Sequence, residues 1–232
     1  MTRGRVSATH DDIGDEMHVH QQLSRLLAAG VADAAGISAA AFTRYGHELC
    51  DVAGSVVAVS PALVPARRLA TLLQRNAKSG FVVDDLTDLE SFAPLPELDV
   101  PDQPLYLLHH PDRGDDLRNW SPDEALPELT SRGRTPLTVA EGISWLLQEP
   151  QKLERNHCFM TIGSRRPTGG GLDARTPAIW ISGGTCRDGT ARRGAPKVGW
   201  CWAGNRHTWL GFGSVGARSG GSQPEGSHTA GN

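Results

Sequence analysis

His157 and Cys158 stand side by side, and His207 lies six residues after Cys201. Imidazole and thiol together raise the question of zinc first. Neighbours on a strand point to opposite faces, so His157 and Cys158 cannot share an ion without a bulge. The sequence has no C-x-x-C and no H-x-x-x-H clip of the kind structural zinc uses. No metal site is expected. The second chemistry is nucleophilic. A thiolate needs a neighbouring base or positive potential, and Arg165, Arg166, Arg206 and His207 are the groups able to supply it. His157, Cys158 and His207 are therefore the catalytic candidates, although no flanking motif of a known thiol enzyme surrounds them. The plain alternative for Cys158 and Cys201 is a small buried apolar side chain.

A third chemistry is anion binding. Ser164-Arg165-Arg166 runs into Thr168-Gly169-Gly170-Gly171, and Arg187, Arg192, Arg193 and Lys197 flank the next Gly-containing loop. Backbone N–H groups with arginines hold anions, and tryptophans stack on planar ligands. The glycine runs lack both the Gly-Lys-Ser/Thr ending of a phosphate loop and the G-x-G-x-x-G spacing, so no cofactor is expected. Asn205, Arg206 and His207 place three hydrogen-bonding side chains on a turn between Trp202 and Trp209. A pocket belongs there, with Arg165, Arg166, Trp202, Asn205 and Arg206 as ligand-binding residues. Asp112, Asp115 and Asp116 are close enough in sequence for a hard cation, but without EF-hand spacing they read as partners of Arg113 and Arg118.

The elements that must position these residues change character along the chain. Val19, Leu23, Leu26 and Leu27 recur at helical spacing up to Gly30, and Ser38 caps a second helix in which Phe42, Tyr45 and Leu49 share a face. A β-α-β-like passage follows: a strand over Ser55–Ser60, a helix opened by Pro65, and a strand at Phe81–Val83. The acidic, Pro-rich stretch 84–103 reads as a loop, and Pro104–His109 as a strand whose proline suits an edge or a strand start. Ser121 with Glu124 and Thr138 with Glu141 are capping boxes for two helices. The second carries Val139, Ile143, Leu146 and Leu147 as one apolar stripe. His157–Ile162, Ala178–Ser182, Lys197–Ala203 and Thr208–Ser214 read as strands, the last two joined by a hairpin at Gly204–His207. Alternation puts Val198, Trp200 and Trp202 on one face, and Gly199, Cys201 and Ala203 on a closely covered other face.

Charge is distributed unevenly. From Met1 to Glu154, 13 Lys and Arg face 23 Asp and Glu, whereas from Arg155 onward the balance is 10 against 3. Either the two parts pack together and neutralise, or the C-terminal part shows a basic face to an anionic ligand or an acidic partner. The four cysteines have no disulfide-framework spacing, no apolar leader opens the chain, and no run of about 20 apolar residues is present to span a bilayer. These features predict a cytoplasmic protein without membrane partners.

Several long stretches carry a resemblance. They are GRTPLTVAEG (Gly133–Gly142), ERNHCFMTIGSR in the Glu154–Arg166 region, PAIWISGG (Pro177–Gly184) and APKVGWCWAGNRHTWLGF (Ala195–Phe212), together with RGDDLRNWSPDEALP (Arg113–Pro127). Through them the chain resembles an actinobacterial family of proteins, domain-of-unknown-function family 5701. That resemblance implies no activity, cofactor or catalytic residue.

The expected fold is α+β, with N-terminal helices and short strands packed on a mainly antiparallel C-terminal sheet. One domain is expected over residues 17–216, between disordered tails at 1–16 and 217–232. The expected function is binding or interaction through the basic, Trp- and Gly-rich C-terminal face. The alternative is a hydrolase or transferase with a polar site around His157, Cys158, Arg165, Asn205 and His207.

Overall fold

Helix α1 (Val19–Ala28) buries Val19, Leu23 and Leu26, the face its spacing predicts. In this computed structural model residues 17–221 are described, and the expectations for 1–16 and 222–232 lie outside them. Gly30, at φ 87°, ends α1 and opens a five-residue helix, α2 (Val31–Ala35), too short to show a period in sequence. Ser38 caps α3 (Ala39–Gly46) as expected, its Oγ accepting from Ala41 N at 3.2 Å. The expected apolar face is only partly realised. Phe42 is fully buried, but Tyr45 is exposed and Leu49 lies past the end of the helix.

Strand β1 (Ser55–Val59) leads to α4 (Ala66–Leu72), the ribbon β2 (Gln74–Arg75) with β3 (Lys78–Ser79), and β4 (Phe81–Val82). The elements are those expected, yet they do not form a β-α-β unit: β1 and β4 belong to different sheets. The loop over 84–103 contains only a 3-10 turn at Leu89–Ser91 and β5 (Ala93–Pro94). It is nevertheless pinned down, because Leu86, Leu89, Phe92 and Leu95 are buried. Strand β6 (Leu105–His109) starts just after Pro104, so the missing N–H costs the ladder nothing.

Helices α5 (Pro122–Ser131) and α6 (Val139–Gln148), separated by β7 (Thr135–Pro136), both open with the predicted capping boxes. The single stripe expected of α6 is a correction. Apart from Leu147 every side chain of α6 is buried, because the helix lies between two sheets and packs on β1, α4 and α1 as well. Gly142 makes the approach to the second sheet close: a Cβ there would sit 2.6 Å from Thr161 Cγ2 and 3.2 Å from Ile179 Cδ1. On the opposite side Ser144 Oγ accepts from Val59 N at 3.0 Å.

The C-terminal part supplies β8 (Cys158–Met160), β9 (Ser164–Arg165), the ribbon β10 (Pro167–Thr168) with β11 (Gly171–Leu172), β12 (Arg175–Ile181) and β13 (Pro196–Trp202). It ends in β14 (Leu210–Phe212), β15 (Ser214–Val215) and β16 (Ala217–Ser219). One sheet has the order β1-β6-β16, antiparallel throughout; the other runs β14-β8-β12-β13-β4. Within the second, β8, β12 and β13 are antiparallel neighbours, while the outer pairs β14–β8 and β13–β4 are parallel. The chain is thus α+β with mainly antiparallel sheets. The hairpin expected at Gly204–His207 does not form. The slot beside β13 is taken by β4, so the chain crosses to the far side of β8 before β14 begins. Pairing also runs past the expected end at residue 216, because β16 completes the first sheet and carries Arg218 into the interior.

Much of the charge asymmetry is met by ion pairs within the fold. Arg166 and Arg175 both hold Asp88, Arg187 reaches Asp85, Arg192 reaches Asp84, Arg206 holds Glu124 and Arg218 holds Glu141. Each of these pairs joins a C-terminal arginine to an acid of the N-terminal part.

Candidate functional site

The residues singled out for chemistry do not meet at one place. His157 turns to the loop before α5, with Nδ1 3.2 Å from Asp115 Oδ2. Arg113 locks that carboxylate, donating from Nε at 3.0 Å and from Nη2 at 2.6 Å. Cys158 is buried and donates its thiol to Glu154 O at 3.4 Å, away from His157. Burial pushes the Cys158 thiol up, and pushes Cys201 up to about 11, so both remain protonated at neutral pH. Strand β12 lies between β8 and β13, where Cys201 pairs with Thr176 and Phe159 with Ile179, so two interstrand spacings and a shift along the strands together hold the cysteines roughly 16 Å apart. His207 packs its ring on Trp209, centroids 5.5 Å apart, and burial lowers its pKa. Among the described residues, no group of three His, Cys, Asp or Glu side chains is arranged to hold a metal ion.

Of the arginines of the expected anion site, Arg166 and Arg206 are held by acids, whereas Arg165 meets only a backbone carbonyl and its buried Nε has no protein partner among the described residues. Arg165 is 7% exposed and donates to Asp173 O at 3.1 Å. Arg166 is engaged by Asp88 and Asp173, and Arg206 by Glu124. Trp202 is half-exposed with its ring edge-on to Trp200, and Asn205 is exposed. These two and Arg206 share one loop region at the end of β13, whereas Arg165 and Arg166 belong to β9 and the chain just after it. The covered face predicted at Gly199 is real: Trp180 lies where a Cβ would stand, 2.3 Å away. The three aspartates also separate. Asp112 Oδ1 accepts from Gly114 N at 2.6 Å, Asp115 is held by Arg113 and His157, and Asp116 is held by Arg132.

A cavity that the sequence reading missed lies elsewhere. It has a volume of about 460 Å³, within the range of sites for small organic ligands. The turn between β1 and α4 (Ser60, Pro61, Ala62, Pro65, Ala66) forms one side, and the pinned 89–102 arm forms another. Tyr106 of β6, Thr138 and Ala140 at the start of α6, and Ser164 of β9 complete the wall. Pro61, Pro65, Pro94 and Pro101 stiffen it, since each fixes its own φ and offers no N–H. Phe92 is held from behind by the Arg175 guanidinium, 5.3 Å from its ring.

One polar network underlies this wall. Tyr106 donates to Glu141 Oε1 at 3.0 Å, and Thr138 N donates to Glu141 Oε2 at 2.7 Å. Arg218 reaches the same carboxylate through Nε at 2.6 Å and Nη2 at 2.8 Å, and also donates to Thr135 Oγ1 and Pro136 O. Burial first, and then the adjacent Glu141 carboxylate, push the Tyr106 hydroxyl well above its ordinary range. The capping box makes Glu141 legible in sequence as a helix residue. Nothing local shows that a strand 77 residues later will supply its counter-ion.

A wider cleft of about 850 Å³ opens at the other end of β1, with His18, Asp51, His110, Arg134 and Glu149 on its walls. Its charges are of both signs, and His18 Nδ1 already sits 3.1 Å from Asp51. Among the described residues, no helix is long and apolar enough to cross a membrane.

No curated protein and no solved structure matches this chain. A family model does, over residues 25–221, which takes in both sheets, α6 and the cavity wall. The chain belongs to the family of unknown function DUF5701.

Proposed function

We propose that this protein binds a small, mainly apolar molecule in the cavity between β1, the 89–102 arm and the start of α6, without transforming it. The observation that carries this reading is the cavity itself: about 460 Å³, largely apolar, and walled by four prolines. A stiff wall loses little freedom when a ligand enters, which favours binding. The polar groups beneath it are poor acid–base catalysts. Tyr106 holds its proton firmly, and Glu141 is neutralised by Arg218. No cysteine or histidine lines the cavity among the described residues.

The enzymatic alternative draws support from the His157–Asp115 pair, an arrangement that orients a general base. It stands second, because Cys158, the adjacent nucleophile candidate, points to Glu154 O instead. Anion binding by the C-terminal face is weakened by the acids that already occupy Arg166 and Arg206.

The test is a thermal-shift and NMR screen with small apolar compounds, repeated on Ala62→Phe. Ala62 is exposed at the cavity, so a phenyl group there fills space without disturbing the core. Hits that stabilise the native chain and lose affinity in A62F support the reading. Hits indifferent to A62F, or none at all, refute it.

A further inference from the structure

The hydroxyl groups of the cavity wall define the ligand further. Ser60, Thr138 and Ser164 are 8%, 4% and 1% exposed. Each oxygen accepts a backbone N–H: Ala62 N to Ser60 Oγ at 3.2 Å, Glu141 N to Thr138 Oγ1 at 3.3 Å, and Val139 N to Ser164 Oγ at 3.0 Å. Among the described residues none of the three donates its own O–H to a protein acceptor, unlike Ser144, which donates to Ala140 O at 2.8 Å. Water entering the open cavity answers these O–H groups while it is empty, so a ligand that displaces that water must bring acceptor atoms or leave hydroxyl protons unpaired at roughly 1–3 kcal/mol each.

The rest of the wall limits what the acceptor can be. The four prolines contribute no N–H, and Tyr106 has committed its proton to Glu141. Among the described residues no lysine, arginine or histidine lines the cavity, whereas the exposed carboxylates Glu90 and Asp102 do. Glu90 is already paired with Arg67, so an anionic ligand would find no free counter-ion in the wall, and an unpaired buried charge is far more costly than a buried dipole. A pure hydrocarbon would leave the three O–H groups unanswered.

We infer that the cavity takes an uncharged molecule with an apolar body and a neutral oxygen acceptor, as in a ketone, ester or lactone, hydrogen-bonded by the Ser60, Thr138 and Ser164 hydroxyls. This inference rests on the cavity being a binding site, as proposed above. Recognition needs no proton transfer and no covalent step. Each hydroxyl keeps its backbone N–H and adds one donated hydrogen bond.

The test uses three probes of matched shape: 2-acetylnaphthalene, 2-ethylnaphthalene and 2-naphthoate, titrated by calorimetry and by chemical-shift perturbation. The ketone should bind about three- to tenfold more tightly than the hydrocarbon, the range of one net buried hydrogen bond. The carboxylate should bind weakest. In Ser60→Ala and Ser164→Ala, each verified as folded by its urea transition, the ketone's advantage should shrink while the hydrocarbon's affinity holds. If one variant fails to fold, the other carries the measurement. Binding that favours 2-naphthoate, or that treats ketone and hydrocarbon alike, overturns the ligand class and leaves the cavity as a site. Failure of all three probes to bind removes the cavity reading, and the ligand class with it.

Discussion

Replacing Arg218 by methionine should destabilise the protein strongly, although Arg218 stands on β16, a strand of only three residues. The side chain is 3% exposed and its partner Glu141 is 0% exposed. With the guanidinium gone, Glu141 would keep only the Tyr106 hydroxyl and the Thr138 N–H, while Thr135 Oγ1 and Pro136 O would each lose a donor. Removing one partner of a buried pair typically costs about 3–5 kcal/mol, because the remaining charge is stranded away from water. For a chain of this size each kcal/mol moves Tm by about 2–4 °C, so R218M should melt about 6–20 °C below the native protein. Urea unfolding would give the free energy directly. The double variant R218M/E141Q removes the stranded charge while leaving an acceptor for Thr138 N, and should recover most of the loss. A loss below about 1 kcal/mol in R218M, or a double variant no better than the single one, would refute the view that this buried pair fastens the C-terminal strand.

Gly142→Ala should cost about 1–3 kcal/mol in urea unfolding, since its methyl would press on Thr161 Cγ2 at 2.6 Å, and an unchanged midpoint would mean that the sheet shifts freely there. Acidification should act earlier than carboxylate chemistry alone predicts. Burial lowers the pKa of both His109 and His207, so the unfolded chain takes up those protons first. Stability present above the ordinary histidine range is then lost as the pH falls through about 6.5, and the urea midpoint at pH 5.5 should lie below that at pH 7.5. On a heparin column the protein should elute at or below about 0.15 M salt, where exposed charges are already screened beyond about 8 Å; retention to higher salt would show that the C-terminal arginines are free to bind polyanions.

Much of the secondary structure was legible because it is written locally. The Ser121–Glu124 and Thr138–Glu141 boxes announce α5 and α6, and Gly30 and Ser38 bracket the short helical segments around them. What escaped depends on distance along the chain. The apolar period of α6 identifies a helix, but only the packing of the β1-β6-β16 sheet and α1 on the side opposite Gly142 makes its polar side interior, where Glu141, Ser144 and Gln148 are fully buried. A four-residue link between two strand-like runs reads as a hairpin, and it fails here because β4 had already claimed the edge of β13. The reactive residue types misled for a related reason. Cysteine, histidine and arginine draw attention in a sequence, yet more than half of the cavity lining is proline, alanine, serine and threonine, whose local reading is turn or cap.

The charge asymmetry and the cavity are parts of one construction. The 84–103 stretch is too rich in proline to be held by a continuous ladder, and its only strand pairing is the two-residue β5 with β9. Arginines supply the remaining hold. Arg175 grips Asp88 and Asp173 together, and Arg166 adds to both. Hydrogen bonds from Arg175 keep both carboxyls below the ordinary aspartate range, so they stay ionised until the pH falls below about 4. The same guanidinium lies over Phe92, whose ring lines the cavity. An excess of arginine that reads in sequence as an outward face for anions thus serves to fix the wall of a site that contains no cation among its described residues. The basic character of the C-terminal part and the neutral character of the proposed ligand are therefore compatible, because the arginines act behind the wall.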